Sequence, residues 1–236
     1  MASKKIARPT HSSAVFKLNN EAPFDYLEAY NNLRTNVMFS LAALDNEKKA
    51  VVVSSACPSE CKSTLSSNLA ISLAKLQHKV IIIDADLRRP TLHRIFGIKP
   101  ECGLSDILLN KSVENAIVGI PGLNLDFLPA GTIPPNPSEL LSSKKFASFV
   151  AELEKIYDYI IIDTPPILAV SDALMLSKIA AGVLLSCRYK RTSHSDFAKT
   201  VEKLSFAQFP ILGAAIVGQE DQSTTRVGGY YYSSDK

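Results

Sequence analysis

Three segments of this chain combine residue types that could hold phosphate and a divalent cation. The first is Ser55-Ala56-Cys57-Pro58-Ser59-Glu60-Cys61-Lys62-Ser63-Thr64, which follows an apolar run and precedes a helical one. Strand, tight loop, Lys-Ser-Thr and helix is the context in which a loop wraps phosphate. Backbone N–H groups and the helix N-terminus face the oxygens, the lysine reaches the outer phosphates, and the next hydroxyl binds Mg²⁺. Pro58, Ser59, Glu60, Cys61, Lys62, Ser63 and Thr64 are therefore candidate nucleotide-binding residues, with Lys62 on the phosphates and Ser63 on the metal. The pattern asks for glycine immediately before the lysine, and this chain has Cys61. Glycine is favoured there because the backbone must turn sharply against phosphate oxygens. Alone, the segment fits a nucleotide site and an ordinary strand-to-helix turn equally well.

The second segment, Val80-Ile81-Ile82-Ile83-Asp84-Ala85-Asp86-Leu87-Arg88-Arg89-Pro90, is an apolar run that releases two carboxylates and two arginines at its end. The third, Tyr159-Ile160-Ile161-Ile162-Asp163-Thr164-Pro165-Pro166, is another apolar run ending in Asp. A single strand ending in Asp is usually a cap or a turn. In a parallel sheet, however, all three ends lie on one edge. Three carboxylates beside a phosphate loop repel one another unless a divalent cation sits among them. Together the segments favour a Mg-nucleotide site, with Asp84 and Asp163 as candidate metal ligands beside Ser63.

The elements that must position these residues follow from the hydrophobic pattern. Apolar residues Leu27, Tyr30, Val37, Leu41 and Leu44 recur at helical spacing between Phe24 and Leu44. Short apolar runs follow at Ala50–Ser54, Val80–Asp84, Leu123–Leu128, Tyr159–Asp163, Val183–Cys187 and Leu212–Val217. Helical stretches are expected near 63–77, 138–155, 172–180 and 193–206. Near-continuous apolar strands separated by helices predict a doubly wound, mostly parallel α/β sheet covered on both faces. Its ligands would lie beyond the C-terminal ends of the strands. Residues 1–22 read as a flexible arm, 23–218 as the domain and 219–236 as a flexible tail rich in tyrosine.

Composition narrows the classes. The 236 residues suit one α/β domain, and the formal charge of +3, from 26 basic and 23 acidic residues, is too small to imply nucleic acid. Cys57, Cys61, Cys102 and Cys187 match no CxxC or zinc-ribbon spacing, so they read as free thiols in a reducing cytoplasm. No segment approaches the roughly 18 apolar residues of a membrane span, and no signal peptide is visible.

At its three motifs the chain resembles the bacterial tyrosine kinases of the capsule and exopolysaccharide type, relatives of the P-loop ATPases that include MinD and ParA proteins. Members carry a loop ending PGEGKST, then DADLRRP after an apolar run, then YDYIIIDTPP; this chain has PSECKST, DADLRRP and YDYIIIDTPP. Residues 28–36, EAYNNLRTN, resemble the family's EAYRxLRTN oligomerisation helix, with Glu28 and Arg34 matching and Asn31 in place of the middle arginine. The resemblance implies ATP and Mg²⁺ as cofactors, with Lys62 on the β- and γ-phosphates and Ser63 and Asp163 on the metal. Asp84 would receive the tyrosine proton, and Asp86 would support the active-site geometry. It also implies autophosphorylation of Tyr230, Tyr231 and Tyr232 within a homo-oligomeric ring. The partners would be a transmembrane polysaccharide co-polymerase adaptor, which recruits the cytoplasmic protein to the inner face of the membrane, and a cognate tyrosine phosphatase.

Departures keep two other readings open. Ser59 and Cys61 replace loop glycines, with Ser59 expected to be tolerated if its φ is negative. Relatives often end the last strand in an adenine-binding Asn, where Gln219 stands here. The second reading is a catalytically degenerate scaffold within a polysaccharide assembly complex. The third, a MinD/ParA-like ATPase, is disfavoured by Cys57 at the signature-lysine position and by the tyrosine tail.

Overall fold

Runs of Val and Ile set the sheet, because β-branched side chains pack well on a pleated surface. The protein, described from a computed structural model covering residues 18, 22–44, 48–111 and 116–218, places seven strands in one sheet. These are β1 (Ala50–Ser55), β2 (Val80–Asp84), β3 (Val118–Gly119), β4 (Leu125–Leu128), β5 (Tyr159–Asp163), β6 (Gly182–Arg188) and β7 (Ile211–Val217). Their order is β3-β4-β2-β5-β1-β6-β7, and only the β3–β4 pairing is antiparallel. The doubly wound, mostly parallel α/β sheet expected from the sequence is therefore present. β1 and β2 are buried at every position, which is why they read as unbroken apolar runs.

Seven helices are described: α1 (Phe24–Ala42), α2 (Lys62–Ala74), α3 (Leu92–Phe96), α4 (Leu104–Leu108), α5 (Pro137–Leu141), α6 (Lys144–Glu154) and α7 (His194–Phe206). Alternate strand residues feed two cores. Val51, Val53, Ile82 and Ile161 pack with Leu69 and Leu73 of α2 and with Tyr30 and Val37 of α1. Val52, Ile81, Ile83, Ile160 and Ile162 pack with Phe146 and Val150 of α6 and Leu204 of α7 on the opposite face. Each such fully buried side chain is worth about 1.5–3 kcal/mol relative to exposure.

Several expectations are corrected. The single helix over 138–155 is two, because Ser143 takes an extended conformation and caps α6, its hydroxyl accepting from Phe146 N–H at 3.2 Å. The helix over 172–180 is a 3₁₀ turn at Asp172–Leu176. β3, α3 and α4 were not expected; with two to five residues each they are too short to show periodicity. The arm is not wholly detached: Leu18 is buried, and its N–H donates to Asn68 Oδ1 at 2.8 Å. The tyrosine tail, Gln219 and the rest of the arm lie outside the described residues. Among the described residues no helix is long and apolar enough to cross a membrane.

Register does the positioning that matters for the site. Asp84 and Asp163 are direct partners across β2 and β5, and Val53, just before the phosphate-loop segment, pairs with Asp163 from the other side. Neighbouring strands lie about 4.8 Å apart. Two carboxylates and the launch point of the loop are thus fixed at one edge by backbone pairing.

Candidate functional site

Between β1 and α2 the chain turns through residues 56–61, and α2 begins at Lys62. Ten of the thirteen α2 residues are buried, so packing rather than a cap holds the helix in place; its N-cap, Cys61, makes no capping side-chain bond. The first-turn N–H groups of such a helix are donors suited to phosphate oxygens. Of its buried serines, Ser66 faces the end of β5 and Ser72 faces α1.

Lys62 and Ser63 converge on the strand ends. Lys62 Nζ lies 3.0 Å from Asp86 Oδ2 and 3.3 Å from Asp163 Oδ2, and the Ser63 hydroxyl donates to Asp163 Oδ2 at 2.6 Å. Ser66 donates to the other Asp163 oxygen at 3.1 Å, and Thr91 donates to Ser63 Oγ at 2.8 Å. Burial works against the Lys62 charge, but Asp163, Asp86 and Asp84 outweigh it and push its pKa up to about 12. The ammonium is therefore permanent at working pH.

One ammonium faces three carboxylates, and the imbalance shows in their protonation. Burial, reinforced by Asp163, raises the Asp84 carboxyl to about 7 despite opposing help from the Leu92 N–H and Lys62. Burial also raises Asp163, against the pull of Lys62 and the Ser63 hydroxyl. Surplus negative charge in a dry site, next to a lysine and a helix N-terminus, fits a divalent cation and an anionic nucleotide. Among the described residues no cluster of three or more His, Cys, Asp or Glu is preformed for a metal. Magnesium needs none, since it commonly takes one or two carboxylates and completes its shell with water and phosphate oxygens. Ser63 and Asp163 are suited to hold it.

The structure separates the expected carboxylate roles. Asp86 lines a cavity of about 1040 Å³ together with residues 58–64, Arg88, Arg89, Thr91, Arg94 and the apolar wall of Pro165, Pro166, Ala169 and Val170. Asp84 is fully buried. Its Oδ2 accepts N–H bonds from Thr91 and Leu92 at 3.1 Å, and its Oδ1 a longer one from Asp86 at 3.3 Å. It therefore anchors the start of α3, which weakens its claim as a direct metal ligand.

One loop expectation changes. Ser59 has φ 65° and Cys61 φ 62°, so Ser59 does not occupy the negative-φ region in which it was expected to be harmless. Both non-glycine residues hold the left-handed conformation that their replaced glycines would adopt freely, at about 1–2 kcal/mol each. Glu60 lines the cavity with its neighbours, but its carboxylate, on a residue only 1% exposed, is taken by protein groups, which leaves its backbone N–H as the group it can offer phosphate.

On α1, Asn31 Nδ2 donates to Glu28 Oε1 at 2.8 Å, and the Arg34 guanidinium donates to the Ser72 carbonyl at 3.1 Å and to its hydroxyl at 3.0 Å. Both oligomerisation candidates therefore have partners within their own chain. None of the four cysteines is in a disulfide.

The sequence left several cavity residues without a role. Arg88 makes a two-pronged bond to buried Asp172, at 2.8 and 3.1 Å, and also bonds Ser138 at 3.0 Å. The paired arginines after Asp86 were a visible signal for this. Asp172, 84 positions away, gave none.

A family model described as an AAA domain matches residues 49–207. The chain is 42% identical over 209 residues to the tyrosine-protein kinase YwqD of Bacillus subtilis, covering 88% of this chain and 87% of that protein. The solved kinase domain of the Escherichia coli tyrosine kinase Etk superposes with a TM-score of 0.82 at 31% identity, covering 99% of this chain and 89% of that one. A Pyrococcus horikoshii MinD structure, at 24% identity and TM-score 0.62 over 74% of this chain and 72% of that one, shares the fold.

Proposed function

Because the chain belongs to the bacterial tyrosine-protein kinases, we propose that it uses Mg-ATP to phosphorylate tyrosines on its own C-terminal tail. The observation that carries this reading is the convergence of Lys62 and Ser63, at the start of α2, on Asp163 at the end of β5. When bound, the nucleotide supplies the γ-phosphoryl group and Mg²⁺ neutralises charge on it. Lys62 would pair with the outer phosphates, and Ser63 and Asp163 would hold the metal, with Ser66 and Thr91 fixing their orientation.

Asp84 is the proposed proton acceptor for the tyrosine hydroxyl. Its raised pKa of about 7 would let it take a proton near neutrality, and its Oδ1 carries only the 3.3 Å contact from Asp86 N–H. The carboxylate is fully buried and absent from the cavity lining, however, so a hydroxyl would reach it only after the α3 start gives way. Asp86, which lines the cavity, is the competing candidate. Asp84→Asn and Asp86→Asn separate the two: the variant that loses the alkaline rise of kcat identifies the base.

The acceptors proposed are Tyr230, Tyr231 and Tyr232, delivered by one copy of the chain to the cavity of a neighbour in a ring. A membrane-spanning polysaccharide co-polymerase would recruit the protein to the cytoplasmic face, and a cognate phosphatase would reverse the modification. The motif resemblance supports these assignments, which tie the kinase to capsule or exopolysaccharide synthesis. A second reading, a non-catalytic scaffold in the same assembly, draws support from Ser59, Cys61 and Asn31.

The test is phosphate incorporation by purified protein given Mg-ATP and the cytoplasmic segment of a candidate adaptor, with sites located by mass spectrometry. Phosphate on Tyr230–Tyr232 that disappears in Lys62→Met supports the kinase. If neither the natural chain nor Ser59→Gly/Cys61→Gly incorporates phosphate, the scaffold reading replaces it.

A further inference from the structure

The phosphate loop is gripped from behind by β6 and the turn after it, and we propose that Glu60, locked by Thr192, is a positioning residue that keeps the loop in its phosphate-binding shape while Ser59 and Cys61 hold left-handed backbone. The proposal rests on the nucleotide-binding reading above. Glu60 sits between the two left-handed residues, Ser59 and Cys61. Its buried carboxylate closes the loop on itself: Oε2 accepts the Cys57 N–H at 3.0 Å, while Oε1 accepts the Thr192 hydroxyl at 2.6 Å. Thr192 is itself held, its oxygen accepting the Arg188 N–H at 2.8 Å.

Two further bonds act on the backbone at the strained positions. The Arg188 guanidinium donates to the Ser59 carbonyl at 3.1 Å, and the Ser186 hydroxyl donates to the Glu60 carbonyl. In a trans peptide the N–H points opposite to the preceding C=O. Holding these two carbonyls toward β6 therefore turns the N–H groups of Glu60 and Cys61 away from β6, toward the side where phosphate donors are needed. The anchor is rigid because β6 pairs directly with β1, with Ser55 opposite Ser186. A left-handed non-glycine residue persists only where its surroundings over-determine it. Here four bonds do so, two accepted by the Glu60 carboxylate and two donated by β6 side chains; three of them, the carboxylate pair and the Arg188 bond, are charge-assisted and therefore stronger than neutral ones.

The clamp predicts a coupling that ordinary packing would not produce. Thr192→Val keeps the shape and deletes the hydroxyl, so in the natural chain Ser59 and Cys61 can relax out of the left-handed region. Mg-ATP affinity should then fall about tenfold, the size of one released left-handed strain. Hydrogen exchange of amides 57–63 without nucleotide should quicken in parallel. In Ser59→Gly/Cys61→Gly the same substitution should cost no more than about threefold, because glycine needs no clamp to stay there. Thr192→Ser, which retains the hydroxyl, should recover most of the affinity. Equal losses in both backgrounds, or no loss in the natural one, would overturn the proposal. Failure of the natural chain to bind Mg-ATP would sink the nucleotide reading instead. The clamp would then stand or fall on hydrogen exchange, where a background-independent effect of Thr192→Val refutes it.

Discussion

Replacing Ser59 and Cys61 by glycine should make the protein more stable while leaving nucleotide affinity nearly unchanged. Both residues already hold φ near +60° without a ligand, so their strain is drawn from folding rather than from binding. A left-handed L-residue costs about 1–2 kcal/mol. Glycine returns about 0.5–1 kcal/mol of that through the greater freedom of the unfolded chain. The net gain is about 0.5–1 kcal/mol per site, or about 1–2 kcal/mol for the pair. For a domain of this size that is a Tm rise of about 2–8 °C, at about 2–4 °C per kcal/mol. Thermal and urea unfolding read the stability, and titration calorimetry reads the Mg-ATP dissociation constant, which should move by less than about threefold. An unchanged Tm together with an affinity gain above tenfold would refute the reasoning, because the natural loop would then be strained only when nucleotide binds.

Three further outcomes are expected. Lys62→Met removes the one ammonium among Asp84, Asp86 and Asp163, so metal-free protein should lose up to about 3–5 kcal/mol at pH 8 and recover part of it with millimolar Mg²⁺, measured by urea unfolding. The Asp84 carboxyl titrates near 3.8 when unfolded and near 7 when folded, so the folded state binds the extra proton between those values. That term makes the metal-free protein lose stability as pH rises from about 4 to 7, by a few kcal/mol at about 1.4 per pKa unit, and Asp84→Asn should flatten the slope in unfolding curves taken in chelator. A Cβ at Gly103 would stand 2.2 Å from the Pro129 carbonyl and 2.4 Å from Gly131 N. Gly103→Ala should therefore destabilise the protein by at least about 1–3 kcal/mol, read as a fall in the urea midpoint at constant slope.

The chemistry of the site was legible in the sequence wherever it is carried by contiguous residues. Asp84 and Asp163 each end an apolar run, and Lys62-Ser63 opens a helix after another. A parallel sheet must bring such ends to one edge, because every strand runs the same way. The fold class followed from the same runs, since strands buried on both faces leave no room for polar alternation. Short elements escaped: α3 and α4, at five residues each, span little more than one turn.

Only the tertiary structure decided what each carboxylate does. Asp84 and Asp86 are two residues apart and look equivalent in the chain, yet one anchors α3 and the other lines the cavity. The same holds for the loop. Ser59 and Cys61 read as defects in the sequence, and the groups that bond Ser59 and Glu60 beside them, Ser186, Arg188 and Thr192, lie more than 120 positions away with no motif of their own. Sequence pattern reports the backbone direction and burial that neighbouring residues share. Which distant side chain closes a hydrogen bond depends on strand register and turn geometry, and these exist only once the sheet has formed.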